Sequence, residues 1–179
     1  KSLLYKVRRL FPLFTEAQAD EFLNGVGGDA LTREKHVRQL RRDLERLGET
    51  LEFWRESDPK TSVAVKGREL AKSRHTLANQ IEDSFRRRIL LPDAQGRPVC
   101  GLKLDGLRVG DLPVLPADIN FDHIKLVSMK NMQLDNTVGG LLGSFKQIES
   151  LELDNNELSE WPPVITEMAK LERLCLPDN

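Results

Sequence analysis

Ile148-Glu149-Ser150-Leu151-Glu152-Leu153-Asp154-Asn155-Asn156-Glu157-Leu158 is the stretch that decides the fold. Its apolar residues fall at positions 1, 4, 6 and 11 of the stretch, with an asparagine at position 9. The same frame reopens 23 residues later with Leu171, Leu174, Leu176 and Asn179. It is also present 24 residues earlier, in Ile124, Val127, Met129, Met132 and Leu134, and 25 earlier again, in Val99, Leu102, Leu104, Leu107 and Val109. Four frames in register, each within the 20–29 residue period of one repeat class, read as three repeats and the opening strand of a fourth over residues 99–179.

That frame is the leucine-rich-repeat pattern. Each repeat is expected to give one short strand whose flanking apolar residues point into a solenoid core, and neighbouring strands pair in parallel along a concave sheet. The residues between the core positions then face outward: Gly101, Lys103 and Asp105; Leu126, Ser128 and Lys130; Ser150, Glu152 and Asp154; Arg173, Cys175 and Pro177. This face is the natural place for a protein partner. Asn156 and Asn179 are placed to satisfy backbone groups at the turn leaving the strand, whereas Leu107 and Met132 lack that amide, which predicts looser early turns. Pro113, Pro116, Pro162 and Pro163 fall in the return segments and predict extended backbone there. Trp161 is expected to pack the convex side, and Cys175 to be a small filler, since no basic cluster stands near it in sequence.

Working outward, the first half reads as helical. Thr15 and Gln18 form a capping box for a helix over about 15–24, stopped by Gly25, Gly27 and Gly28. A shorter helix over about 2–11 precedes it. Val37, Leu40, Leu44, Leu47, Leu51 and Trp54 recur at steps of three and four, predicting a helix over about 32–56 with one narrow apolar stripe. Asp58-Pro59 reads as an N-cap and first helical residue. They would open a helix over about 59–90 with Val63, Leu70, Leu77, Ile81 and Phe85 on its buried side and Ala71 and Ala78 permitting close approach. The two long helices should form an antiparallel hairpin. Gly25-Val26-Gly27-Gly28-Asp29-Ala30 matches a dinucleotide-loop spacing, but no strand precedes it, so it reads as a helix stop. Arg86-Arg87-Arg88 is accounted for by Glu82, Asp83 and the helix C-terminal dipole. It has no interleaved aromatic residues of the kind that bind single-stranded nucleic acid.

The expected class is therefore α+β: a helical domain over 1–98 capping a leucine-rich-repeat solenoid over 99–179. Charge divides at the same place. Residues 1–98 carry 20 Lys and Arg against 15 Asp and Glu, and residues 99–179 carry 7 against 13. No apolar run approaches the roughly 18 residues of a membrane helix, and no nucleic-acid partner is expected. Two cysteines and three scattered histidines offer neither a disulfide framework nor a metal spacing, so no metal or cofactor is expected. The chain lacks an initial Met and stops inside the fourth frame, which suggests part of a longer protein.

The combination resembles a known family. Tyr5, Arg9-Leu10-Phe11-Pro12 and Phe14-Thr15, then Gly106, Val109-Gly110-Asp111-Leu112-Pro113, and the run from Leu151 to Pro163 are similar to the N-terminal portion of bacterial secreted effectors of the novel E3 ubiquitin ligase class, above all the large pseudomonad proteins. The resemblance implies a substrate-recognition and regulatory segment acting in the host cell cytoplasm. It implies contact with the ubiquitin machinery only through a separate catalytic domain carrying a Cys-x-Asp motif. Here Cys100 is followed by Gly-Leu and Cys175 by Leu-Pro-Asp, so no catalytic residue is expected. A repeat adaptor without an attached enzyme is the alternative reading. A hydrolase or transferase in the helical half has no nucleophile and base constellation behind it.

Overall fold

The computed structural model describes residues 2–60 and 65–179. Helices α1 (Leu3–Leu10), α2 (Glu16–Val26), α3 (Ala30–Glu56) and α4 (Gly67–Phe85) precede a five-stranded sheet: β1 (Leu90–Pro92), β2 (Pro98–Lys103), β3 (Leu126–Ser128), β4 (Ser150–Glu152) and β5 (Arg173–Cys175). A short helix, α5 (Gly139–Leu142), follows a 3-10 turn between β3 and β4. The class is α+β. Among the described residues, no helix is long and apolar enough to cross a membrane.

The sheet runs in chain order, with β2 to β5 parallel and β1 antiparallel on the edge. Leu102, Val127, Leu151 and Leu174 stand side by side across the parallel strands. The first three of these, with Leu104, Met129 and Leu153, are buried. Each strand leaves through one residue in the left-handed region: Gly106, Asn131, Asn155 and Asp178. Asparagine and aspartate tolerate that conformation better than other side chains, so the turn recurs even where the following residue is Leu107 or Met132.

α2 carries the expected capping box, with Thr15 N–H donating to Gln18 Oε1 at 2.8 Å and Gln18 N–H to Thr15 Oγ1 at 3.1 Å. It passes through Gly25 to Val26 and ends at Gly27. α3 starts at Ala30 because Asp29 caps it, accepting from Thr32 N–H at 2.8 Å. Its stripe is buried as anticipated except that Asp43 enters it and Leu44 lies at its margin.

The helix anticipated over 59–90 is shorter at both ends. Asp58 and Pro59 are not helical, and α4 begins at Gly67; Val63 lies outside the described residues. The helix stops at Phe85 because Arg87 adopts φ 56°. Leu90–Pro92 then turns at Asp93 to pair with Pro98–Cys100, so the stretch around Pro92–Pro98 is a hairpin rather than a linker. Trp54 of α3 meets Arg74 of α4 and Gly48 meets Glu82, so the two helices run antiparallel. Ala78 is buried between them, whereas Ala71 is exposed and mediates no close approach.

The arginine run joins elements rather than forming a surface patch. Arg86 donates to the carbonyls of Leu10 and Arg9 at the end of α1, at 3.0 and 2.9 Å, and Arg88 pairs with Asp83 at 3.4 Å. Arg87 lies 4.1 Å from the ring centroid of Phe11 and donates to the Phe85 carbonyl. Burial drags its pKa down to about 10.

Helices and sheet share one apolar core. Ser84 donates to the Gly101 carbonyl at 2.8 Å, and Phe85 packs edge-on against Phe121, which packs edge-on against Phe145. The return segments depart from the extended backbone expected of their prolines in one place: Pro163–Glu167 is a 3-10 turn with proline at its start, where the missing N–H costs nothing. Trp161 does not pack; it is 67% exposed.

Candidate functional site

The strand register brings the predicted outward residues together on the sheet face opposite the buried leucines. Gly101, Leu126, Ser150 and Arg173 form one row; Lys103, Ser128, Glu152 and Cys175 form the next. Lys103, Arg173 and Pro177 are exposed, and Asp105, Lys130, Ser150, Glu152, Asp154 and Cys175 are half-buried. Ser128 does not face solvent: it is 2% exposed, enclosed by its neighbours. Both cysteines are free thiols.

Glu152 is the centre of the face. Its Oε1 accepts from Arg173 Nη1 at 2.6 Å, and its Oε2 lies 3.1 Å from Lys130 Nζ. Burial pushes the Glu152 carboxyl up, but the hydrogen bonds from Arg173 and Lys130 outweigh it and hold the group below its ordinary range. The same bonds raise Lys130 and Arg173. One strand over, Asp105 Oδ1 accepts from Ser128 Oγ at 2.7 Å and from the Lys130 N–H at 2.9 Å. Four successive strands, β2 to β5, are thereby linked through Asp105, Lys130, Glu152 and Arg173. Ser150 Oγ and Asp154 Oδ1 are buried on this face without a hydrogen-bond partner, and buried polar atoms in that state are costly.

Asn156 and Asn179 occupy the expected turn positions. Asn156 Oδ1 accepts from Met132 and Leu134 N–H at 2.9 and 3.1 Å, and its amide donates to the Met129 and Leu153 carbonyls at 2.8 and 3.0 Å. Asn179 repeats the pattern one step on, toward Leu158 N–H and the Leu153 and Leu176 carbonyls. The turn at Met132 is therefore held by the next asparagine along, not left loose.

The β1–β2 hairpin, unanticipated from the sequence, walls one side of the face. An ideal Cβ on Gly101 would stand 2.6 Å from Leu91 Cδ1 and 3.0 Å from the Leu126 carbonyl, so only glycine lets β1 settle there. Asp93 accepts from the Gln95 and Arg97 N–H groups, both at 2.9 Å, which fixes the hairpin turn. Between hairpin and strands lies a groove of about 660 Å³, with Arg97, Lys125 and Arg173 facing Asp93, Glu149 and Glu172 around it. The available signal was Asp93-Ala94-Gln95-Gly96 between two short apolar runs, which is a hairpin pattern. Such a face offers paired charges beside a walled groove.

No family model matches the chain, and no curated protein or solved structure is significantly similar to it.

Proposed function

We propose that the chain is a protein-recognition segment: a leucine-rich-repeat solenoid, capped by its helical half, that binds a protein partner on the strand face centred on Glu152. The observation that carries this reading is the cross-strand ladder Asp105–Ser128–Lys130–Glu152–Arg173 beside the hairpin-walled groove. Its charges are prearranged and partly exposed, which favours specific docking over indiscriminate adhesion. In the fuller form of the proposal, suggested by the sequence resemblance, the segment selects substrates for a secreted bacterial E3 ubiquitin ligase in the host cytoplasm, with transfer performed by a domain outside these residues. A ligase-free adaptor would use the same face.

The test places a photo-crosslinking residue at Lys103, Lys130 or Glu149 on the proposed face and at Lys146 or Glu160 away from it. Adducts with one partner from the first set, abolished by Arg173→Glu, are the expected result. Equal adducts from both sets would sink the reading. The ligase form is tested separately, by mixing the parent protein with ubiquitin and its activating and conjugating enzymes. Reducible ubiquitin thioester should form on the parent and never on residues 1–179.

A further inference from the structure

A second surface lies in the helical half, away from the proposed recognition face. α1 and α3 pack against each other and leave two adjoining hollows along their seam. The smaller, about 230 Å³, is lined by Tyr5, Lys6, Arg9 and Arg41. The larger, about 260 Å³, shares Lys6, Arg9 and Arg41 with it and has Leu10, Val37 and Leu44 on its floor.

The cations at the junction are set apart by converging on one hollow without a hydrogen-bonded or ion-paired partner among the described residues; Arg33, Lys35 and Arg55 of α3 also lack one but do not border it. Elsewhere on α3, Arg38 pairs with Glu34 at 3.1 Å, Arg42 donates to Gln39 at 2.7 Å, and Arg46 bonds Asp43 and Asp118 at 2.9 and 2.6 Å. The side chains of Lys6, Arg9 and Arg41 make no such bond among the described residues, although all three border one hollow. Glu34 and Glu45 also border the larger hollow, and Glu34 is already engaged by Arg38. Three positive groups brought around one small cavity repel each other, and an anion entering it relieves that repulsion. Two guanidinium forks and an ammonium provide the donors that phosphate oxygens take best, because the planar forks bind such oxygens two at a time. The larger hollow continues from these cations over Leu10, Val37 and Leu44, with Glu34, Arg38 and Glu45 also around it.

We propose that the α1–α3 seam is a binding site for a phosphorylated peptide, with the phosphate among Lys6, Arg9 and Arg41 and a neighbouring aliphatic side chain over Leu10, Val37 and Leu44. A peptide is favoured over a lipid headgroup because the cations line a concave hollow that continues along the seam over Leu10, Val37 and Leu44, a shape that accepts two side chains of an extended chain. The site lies apart from the Glu152 ladder, so the full chain engages a phosphorylated partner at two places.

The test is fluorescence anisotropy on the full chain, with a labelled heptapeptide carrying one phosphoserine two residues from a leucine. It should bind at least about ten-fold tighter than its unphosphorylated twin, and Arg9→Gln or Arg41→Gln should each remove about that factor. Replacing the peptide leucine by alanine should weaken binding several-fold, and Lys146→Gln, which removes an exposed cation away from the seam, should leave it unchanged. Arg9 and Arg41 are exposed, so both variants should melt at or slightly above the parent temperature. If either unfolds, inorganic phosphate should still displace the peptide from the parent chain at an ionic strength where chloride does not. Equal binding of both peptides, displacement by chloride as well as by phosphate, or insensitivity to Arg41→Gln overturns the proposal. So does Arg41-dependent binding to phosphatidylserine vesicles without any phosphopeptide preference.

Discussion

The guanidinium of Arg74 lies over the indole of Trp54, 4.6 Å from its ring centroid, and donates to the backbone carbonyl of the same residue at 2.6 Å. From there it reaches in three directions. Nη1 also donates to the Ser57 carbonyl at 2.8 Å, Nε to the Val109 carbonyl at 3.0 Å, and Nη2 lies 3.3 Å from Asp111. Only 1% of the residue is exposed. One side chain thus closes the end of α3, anchors α4 and holds the chain leaving the first parallel strand. Burial lowers its pKa, and Asp111 only partly restores it.

Arg74→Ala should therefore destabilise the chain by about 3 kcal/mol, because several backbone carbonyls and Asp111 lose a buried donor together. Arg74→Lys should recover little, since one ammonium cannot serve three carbonyls on two segments and a carboxylate. Denaturant midpoints of both variants check this; a lysine variant close to wild type would show that charge alone matters.

Asn156→Ala should cost about 2–4 kcal/mol, since one amide serves two N–H groups and two carbonyls in buried surroundings. Asn179→Ala, with the same pattern at an exposed position, should cost about 1 kcal/mol. Hydrogen exchange localises the effect: Met132 and Leu134 should lose protection in the first variant and keep it in the second.

The sequence made the parallel strands legible because a 23–25 residue period is a global signal, repeated across frames and insensitive to any single residue. Outward and inward positions followed from alternation alone, and Lys103, Lys130, Glu152 and Arg173 lie on the anticipated face. Ser128 was misread because alternation says which side a residue takes, not whether long neighbours such as Glu152 close over it. Arg74 was invisible for the opposite reason. It occupies a buried helical position between Leu70 and Leu77, and a charged residue there looks like an interruption until its carbonyl acceptors on distant segments are known. The error at Asp58-Pro59 has a similar root, since a capping pattern marks where a helix can start and tertiary packing decides whether it does.

His123 makes stability fall with acid in a window that opens above the ordinary carboxylate range, into which burial raises the Glu82 carboxyl from below. Its ring is enclosed by Phe85 and Phe121, and Nε2 lies 2.7 Å from the Ser84 carbonyl. Burial first, then the nearby Arg87, bring its pKa from 6.5 down to about 3. Above pH 6.5 neither folded nor unfolded chain is protonated there. Below it the unfolded chain takes up a proton that the folded one refuses, so stability declines from pH 6.5 toward pH 3 with a limiting slope of about 1.4 kcal/mol per pH unit. His123→Gln should flatten the profile between pH 6.5 and 4.5; an unchanged profile would assign the acid limb to other groups.

Gly101→Ala should destabilise by about 2 kcal/mol, because its methyl meets Leu91 and the Leu126 backbone oxygen. Leu91→Ala in the same chain should recover part of that loss, the part owed to the side chain, while the contact with the carbonyl persists. The coupling in a double-mutant cycle separates the two.

Residues 99–179 expressed alone should show no cooperative thermal transition. Removing the helices strips Ser84 from Gly101, Arg74 from Val109 and Phe85 from Phe121. A melt as sharp as that of the full chain would show that the strands need no cover.

The antiparallel strand Leu90–Pro92 gives the sheet a direction of growth. Parallel units can be stacked or deleted on the β5 side, where each new strand meets an edge of its own kind, but on the other side β1 presents a reversed edge fixed to the helices by a tight turn. Lengthening by duplication is therefore a one-sided process. The seam between α1 and α3 stays at a constant distance from β1 however many units are added, while the reach of the strand face increases with each one.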